Sequence, residues 1–321
     1  MKKLIWVVIS FLILVCSCTP SVDELIQAIN ENDNEKLKGL LENGATVKYK
    51  DSTKNPLIIA IKKNDIAAVK LLLDHGANPN TLIMKKIPEL SYKPKYQEMS
   101  ILYYALVEDR MDLAKLILGK NVNVNYVPPE ALPLPFLAIL HTDDVVFNMM
   151  LKKNIDSDLV YKGNPLFFYA LDCHSPQRAL CFLNEKSIKQ VTPSSLWFEI
   201  VSKWEPGSRI VADKVLGVLG SVSSSKPLLN EAIIQNKYEC VKWLLDKGLD
   251  PEQKVPEDIM ISDEYYGTPL QEALVKYDDL TNYRGKDFKY DFDHPEVIES
   301  KKIISLLEES IQKSHKEKGQ P

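Results

Sequence analysis

The residues whose types could do covalent chemistry are few: Cys16 and Cys18 near the start, and the adjacent pair Cys173-His174. A thiol beside an imidazole becomes a nucleophile–base pair only if the ring reaches the sulfur in space, and adjacency in sequence does not secure that. Solvation or core filling is the plainer reading of this pair. The remaining histidines, His75, His141, His294 and His315, are scattered. No GxxxxGK[ST], GxSxG or HExxH pattern occurs. Asp287, Asp291, Asp293 and Glu296 could gather round a cation, but their spacing lacks the central glycine of a calcium loop, so they read as a solvated acidic stretch. Arginine is confined to Arg110, Arg178, Arg209 and Arg284, so the clusters that grip phosphates bidentately are missing. The expectation is a protein that is no enzyme, needs no cofactor or metal, and binds neither nucleic acid nor a small-molecule substrate.

Cys18 carries the most specific signal. Lys2 and Lys3 precede an apolar run from Leu4 to Val15 that is broken only by Ser10. The run fits a signal peptide and falls short of the ~20 residues needed to span a bilayer. It ends in Val15-Cys16-Ser17-Cys18, which resembles the lipobox of bacterial lipoproteins: an aliphatic residue at −3, a small one at −1, then cysteine. The resemblance implies cleavage between Ser17 and Cys18, diacylglycerol on the Cys18 thiol, and a freed amine that can be acylated. Cys16 departs from the usual −2 choice. As the acceptor itself it would place Val15 at −1, where small residues are expected, so Cys18 is favoured. The alternatives are an ordinary secretory signal or an uncleaved anchor, against which the polar Thr19-Pro20-Ser21 weighs. Residues 1–17 are thus expected to be signal and 18–22 a lipidated anchor and short linker. Cleavage removes Lys2 and Lys3 and takes the formal charge from −4 to −6. Thr19 in place of aspartate points to the periplasmic side of the outer membrane in a cell with two membranes. In the mature chain Cys173, Cys181 and Cys240 remain beside Cys18. Their odd number, and the apolar helix faces that carry Cys181 and Cys240, favour buried free thiols over a Cys173–Cys181 bridge.

The elements that must position any site repeat along the chain. In Asn55 to Asn80 two helical patterns flank the polar turn Lys63-Asn64-Asp65, with Pro56 at a first-turn position and Gly76 closing the second helix. Ala60 precedes Val69 by nine and Gly76 by sixteen. Ala28, Leu37 and Gly44 keep these offsets, as do Ala232, Val241 and Gly248. Ala105 precedes Ala114 by nine, with Asn121 where glycine is expected. The anchors continue as Ala138, Ala170, Ile200 and Ala273, at intervals near 33 except for two of 45 and 41.

This register resembles the ankyrin repeat, whose pattern is a Thr-Pro-Leu-His-x-Ala opening, a Val-x-Leu-Leu-Leu second helix ending in Gly-Ala, and an Asn-rich hairpin. Thr268-Pro269-Leu270 is the clearest opening, and Leu71-Leu72-Leu73 with Gly76-Ala77 the clearest second helix. The resemblance implies an all-α fold: an ankyrin-repeat solenoid of about seven to eight helical hairpins over 23–310, with loop insertions. Repeats are weak over 130–224, where irregular helical hairpins are the alternative. Insertions fall near 81–98, 252–266 and 277–295. The last repeat resumes with a second helix over Pro295 to Ser310, and 311–321 reads as a flexible tail. A tetratricopeptide-like array is the competing solenoid, but it would lack the glycine-ended helices.

Stacked hairpins bury one continuous core and leave an extended surface, which in this family binds proteins. The leftover segments are too short for a catalytic domain. The stretch 277–295 sets Tyr277, Tyr283, Phe288, Tyr290 and Phe292 among charges, and 81–98 carries Tyr92 and Tyr96. Exposed aromatics dominate interface hot spots, whereas tucked under a loop they form a satellite core. The candidate partner-binding residues are Tyr92, Tyr96, Tyr265, Tyr266, Tyr283, Phe288 and Tyr290. The functional expectation is a membrane-anchored lipoprotein that binds an envelope protein, with toxin neutralisation as an immunity protein one specialised form. A structural envelope tether, or an enzyme with an unrecognised site, is the alternative.

Overall fold

Helical hairpins recur in this chain because a start, a turn and a stop recur. The computed structural model describes residues 19–49, 54–87, 95–129, 131–224, 227–254, 267–282 and 293–319. The candidate residues Cys18, Tyr92, Tyr265, Tyr266, Tyr283, Phe288 and Tyr290 lie outside these, as do Phe292 and the acidic Asp287 and Asp291. The chain divides into two compact units, Met1–Asp156 and Ser157–Pro321.

The first unit contains α1 (Val22–Glu31), α2 (Asn34–Glu42), α3 (Pro56–Lys63), α4 (Ile66–Asp74), β1 (Leu82–Ile87), β2 (Lys95–Ser100), α5 (Ile101–Val107), α6 (Met111–Leu118), α7 (Leu134–His141) and α8 (Asp144–Leu151). Ser21 opens α1 with a capping box: its hydroxyl accepts the Glu24 N–H, and the Glu24 carboxylate accepts the Ser21 N–H at 2.7 Å. The helix stops at Asn32, which turns left-handed at φ 56°, and Asp33 then caps α2 by accepting the Lys36 N–H at 2.9 Å. The next hairpin repeats each step. Asn55 caps α3, Asn64 turns at φ 59°, and Asp65 caps α4 by accepting the Ala68 N–H. Gly76, at φ +90°, ends α4 in a conformation that a β-carbon would strain.

First helices pack on first helices (α1 on α3, α5 on α7) and second on second (α2 on α4, α4 on α6, α6 on α8). The interior follows the register read from sequence. The anchors Ala28, Ala60, Ala105, Ala138, Ala170, Ile200, Ala232 and Ala273 are all at most 1 % exposed, and Leu37, Val69, Ala114 and Val241, nine residues after their anchors, are fully buried.

The second unit contains β3 (Val160–Tyr161), β4 (Asn164–Pro165), α9 (Leu166–Asp172), α10 (Pro176–Phe182), α11 (Glu185–Lys189), α12 (Pro193–Ser202), α13 (Ser208–Leu219), α14 (Leu228–Ile234), α15 (Tyr238–Asp246), α16 (Pro269–Asn282) and α17 (Pro295–Glu317). The same stacking holds: α9 packs on α12, α12 on α14, α14 on α16, α10 on α13 and α15 on α17. Trp243 packs between Trp197 and Trp204, each at 5.8 Å between ring centres, and its indole N–H donates to Asp213 at 2.9 Å.

The fold is mostly helical, with four departures from the sequence reading. The insertion near 81–98 forms an antiparallel β-hairpin, and a second, two-residue pair closes at Lys162-Gly163, so the chain is not all-α. The short α11 adds a helix beyond the hairpin pattern. Helix α16 runs on to Asn282, which makes the first residues of the 277–295 insertion helical; Lys301 lies 5.7 Å from the Tyr277 ring centre. Lastly, the tail expected from 311 is helix as far as Glu317. It is held where His315 Nε2 meets Glu252 Oε2 at 2.9 Å.

Candidate protein-binding surface

The β1–β2 finger stands on the hairpin of α5 and α6, and its register decides which residues it displays. Leu82 pairs with Ser100, Met84 with Glu98 and Lys86 with Tyr96. Side chains alternate across a strand, so the next positions face the other way. Ile83 and Met99 point inward and are at most 1 % exposed, while Leu82, Met84 and Tyr96 are 37 %, 41 % and 57 % exposed. Lys86 and Glu98 lie on that outer face with them, both exposed. The finger thus presents an apolar strip flanked by one charge of each sign.

Its base is fixed. Lys85 forms a close ion pair with Glu108, and the Arg110 guanidinium lies 5.3 Å from the Tyr104 ring centre. Tyr103 and Tyr126 meet edge to face at 6.4 Å. The Tyr126 hydroxyl donates to the Glu98 carbonyl at 3.3 Å, and Gln97 Nε2 donates to Pro129 O at 3.4 Å. Burial, followed by the nearby Glu98 carboxylate, raises the Tyr126 phenol above its ordinary value. Val127, beside this tyrosine, is 52 % exposed. Of these residues only Tyr96 was legible as a contact candidate. Leu82 and Met84 sit in Leu82-Ile83-Met84, an unbroken apolar triplet that hides which of its members faces out.

Below the finger, long polar side chains clamp one hairpin to the next. Lys63 Nζ donates to the carbonyls of Ile29 and Asn30 at 2.7 and 2.8 Å, Arg110 to Ile61 O at 2.7 Å, and Lys153 to Lys120 O at 2.7 Å. Cations here complement the carbonyl ends of helices. Asn80 makes a two-way clip: its Nδ2 donates to Asn121 O, and its Oδ1 accepts the Asn123 N–H at 2.7 Å. Asn125 repeats this with Asn154 O and the Asp156 N–H. Asn80 and Asn125 each lie twenty residues beyond their anchor, so the clip belongs to the repeat. Beside the first clip runs a groove of about 740 Å³, lined by Val47, Lys48 and Tyr49 on one part and Asn78 to Thr81 on another.

Of the residues suspected of chemistry, Cys173 and His174 lie among the described residues. His174 occupies the left-handed turn between α9 and α10 at φ 54°, the position held by Asn32, Asn64, Asp109 and Asn236 in other hairpins. Its Nδ1 is 3.5 Å from Glu205. Cys173, Cys181 and Cys240 are free thiols. Burial raises the Cys173 and Cys240 thiols above the ordinary value, Cys240 further. Cys181, expected on a buried face, is exposed instead: α10 buries Pro176, Ala179 and Phe182. Three acids the sequence reading passed over occupy one register position, the residue before the anchor: Glu199, Glu231 and Glu272. The last two are 7 % exposed. Among the described residues no cluster of His, Cys, Asp and Glu could hold a metal ion, and no helix is long and apolar enough to cross a membrane.

Residues 25–128 match the family of ankyrin repeats, in three copies. The matched stretch spans α1 to the segment beyond α6, including the finger, and it contains the register of alanine, aliphatic residue and glycine described above. No curated protein matches the chain.

Proposed function

We propose that this is a lipid-anchored, non-enzymatic protein-binding module whose repeat array continues through residue 310. Ankyrin repeats generally mediate protein–protein binding, and the observation that carries the reading is the exposed strip Leu82, Met84 and Tyr96 on a finger whose base is rigidly held. Aromatic and methionine side chains are favoured at interface cores, and an apolar strip with a charged margin has the anatomy of a contact surface. The continuation beyond 128 is supported by the buried anchors Ala138 to Ala273 and by hairpins that stack in the same order. The lipid is assigned to Cys18 by Val15-Cys16-Ser17-Cys18. That assignment puts the repeats outside the cytoplasm, on the outer membrane's periplasmic face where two membranes exist. The partner is an envelope protein, and an incoming toxin held at the membrane by its immunity protein fits the same arrangement.

The test is capture from envelope extract by the purified chain, compared with Tyr96→Ala and Met84→Ala variants. Loss of one defined partner by both variants, with unchanged melting, is the expected result. A partner retained by both would remove the finger from the interface.

A further inference from the structure

The hydrogen-bond phase of the finger shows which backbone groups face away from it. Residues 81 and 101 are opposite one another, and the Ile101 N–H donates to Thr81 O at 3.1 Å, so this is a hydrogen-bonded pair. Bonded and non-bonded pairs alternate along an antiparallel ladder. The bonded pairs are therefore 83 with 99, 85 with 97 and 87 with 95, while the amides and carbonyls of Leu82, Met84 and Lys86 point outward from β1. The same phase turns Glu98 outward on β2, where its carbonyl takes the Tyr126 hydroxyl. On the outer edge of β2 the Glu98 carbonyl is thus already engaged. Among the described residues no hydrogen bond reaches the backbone of Leu82, Met84 or Lys86.

We propose that the outer edge of β1 receives an extended segment of the partner protein as a third strand, with apolar residues beside Leu82 and Met84 and an acidic residue beside Lys86. This rests on the protein-binding reading above and adds the mode of contact. Main-chain bonds supply affinity in strand addition, and alternate side chains supply selectivity. Three features favour such an occupant. The edge offers its donors and acceptors at alternate residues over a six-residue strand. The exposed side chains along it run apolar, apolar, basic, a pattern that an acidic-ended strand complements. The strand also leaves directly from Asn80-Thr81, the wall of the 740 Å³ groove, so an extended chain along β1 continues into open space rather than into packed helix. A second copy of this chain is the poorer occupant, because it would bring two lysines from each β1 into one small sheet. Edge lysines commonly oppose such self-pairing.

The test follows individual amides of the isotope-labelled full chain in detergent. Capped peptides alternating valine and threonine are added, one series with glutamate at the end facing Lys86 and another with lysine there. Hydrogen exchange at Leu82, Met84 and Lys86 should slow by about tenfold or more with the glutamate series, while Ile83, Lys85 and Ile87, already bonded to β2, change little. Met84→Pro removes one outward N–H and leaves the β1–β2 bonds intact, as proline at an edge can; it should abolish the protection with unchanged melting. Lys86→Glu should transfer preference to the lysine series. The proposal is overturned if neither series protects those amides, if protection is uniform along β1, or if Met84→Pro binds like the native chain. Protection without peptide that grows with protein concentration would make the occupant a second copy and overturn it as well. If Tyr96→Ala and Met84→Ala abolish partner capture while the alternating protection is absent, the finger is still the contact and strand addition is what fails.

Discussion

Glu199 shows how a single residue registers its surroundings. One of its carboxylate oxygens is buried without a hydrogen-bond partner. Burial, then the neighbouring Asp172 carboxylate, raises its pKa from the ordinary 4.5, with Lys203 opposing. A carboxyl whose folded pKa is raised holds its proton more tightly when folded. Its contribution therefore favours folding at low pH and is lost as pH rises through the folded value. Glu199→Gln should accordingly raise the melting temperature at pH 7, and the difference should close as pH falls below 4.5. A native chain more stable than the variant at pH 7 would mean that Lys203 outweighs burial. The thiols give a second residue-level test. A maleimide should label exposed Cys181 in the native protein, whereas Cys240, on the buried face of α15, should react only on unfolding. Rapid labelling of Cys240 would show that α15 opens readily from its neighbours.

At the scale of elements, Leu72 tests the packing because it is fully buried in α4. Leu72→Ala removes methyl groups and leaves a cavity, and denaturant unfolding should show a loss of about 2–5 kcal/mol. Asn80→Ala should cost less, but should act on two hairpins at once by freeing Asn121 O and the Asn123 N–H; amide exchange at Asn123 should quicken. The helical hairpins were legible because their turns use residues with a mechanism: Asn64 and Asn236 adopt φ > 0, Asp33 and Asp65 cap, and Gly76 stops a helix. The anchors were legible because alanine is what fits where helices approach closely. The finger was not. Its strand Leu82-Ile83-Met84-Lys85-Lys86-Ile87 lacks the apolar–polar alternation that marks a half-buried strand. The end of α17 was hidden for the opposite reason. Residues beyond Ser310 are polar apart from Ile311 and carry no apolar stripe, and what holds them is the distant Glu252 and the packing of α17 on α15. Glu252 lies twenty residues after Ala232, where earlier repeats place Asn80 and Asn125, so a repeat position used as a backbone clip serves here to dock a terminal helix.

For the molecule as a whole, the proposal to be tested is attachment to a membrane through a lipid on Cys18, ahead of the described residues. No helix among the described residues is long and apolar enough to cross a bilayer. The run from Leu4 to Val15 is too short to span, yet it ends in a cysteine with the small residue Ser17 before it. A diacylglycerol thioether carries two acyl chains, and each buried CH₂ contributes about 0.8 kcal/mol, so such a lipid anchors where a single myristoyl chain would exchange. If that proposal holds, Cys18→Ser should abolish incorporation of labelled fatty acid. Cys16→Ser should leave labelling intact. The repeats should be unaffected by either change: α1 begins beyond both cysteines, at Val22, with its own capping box at Ser21 and Glu24. Melting of the detergent-solubilised variants should match the native chain, which separates a lost anchor from a lost fold. Unchanged labelling in Cys18→Ser with loss in Cys16→Ser would move the acylated residue to Cys16. Membrane retention of both variants without any label would show that the apolar run itself stays in place as an uncleaved anchor.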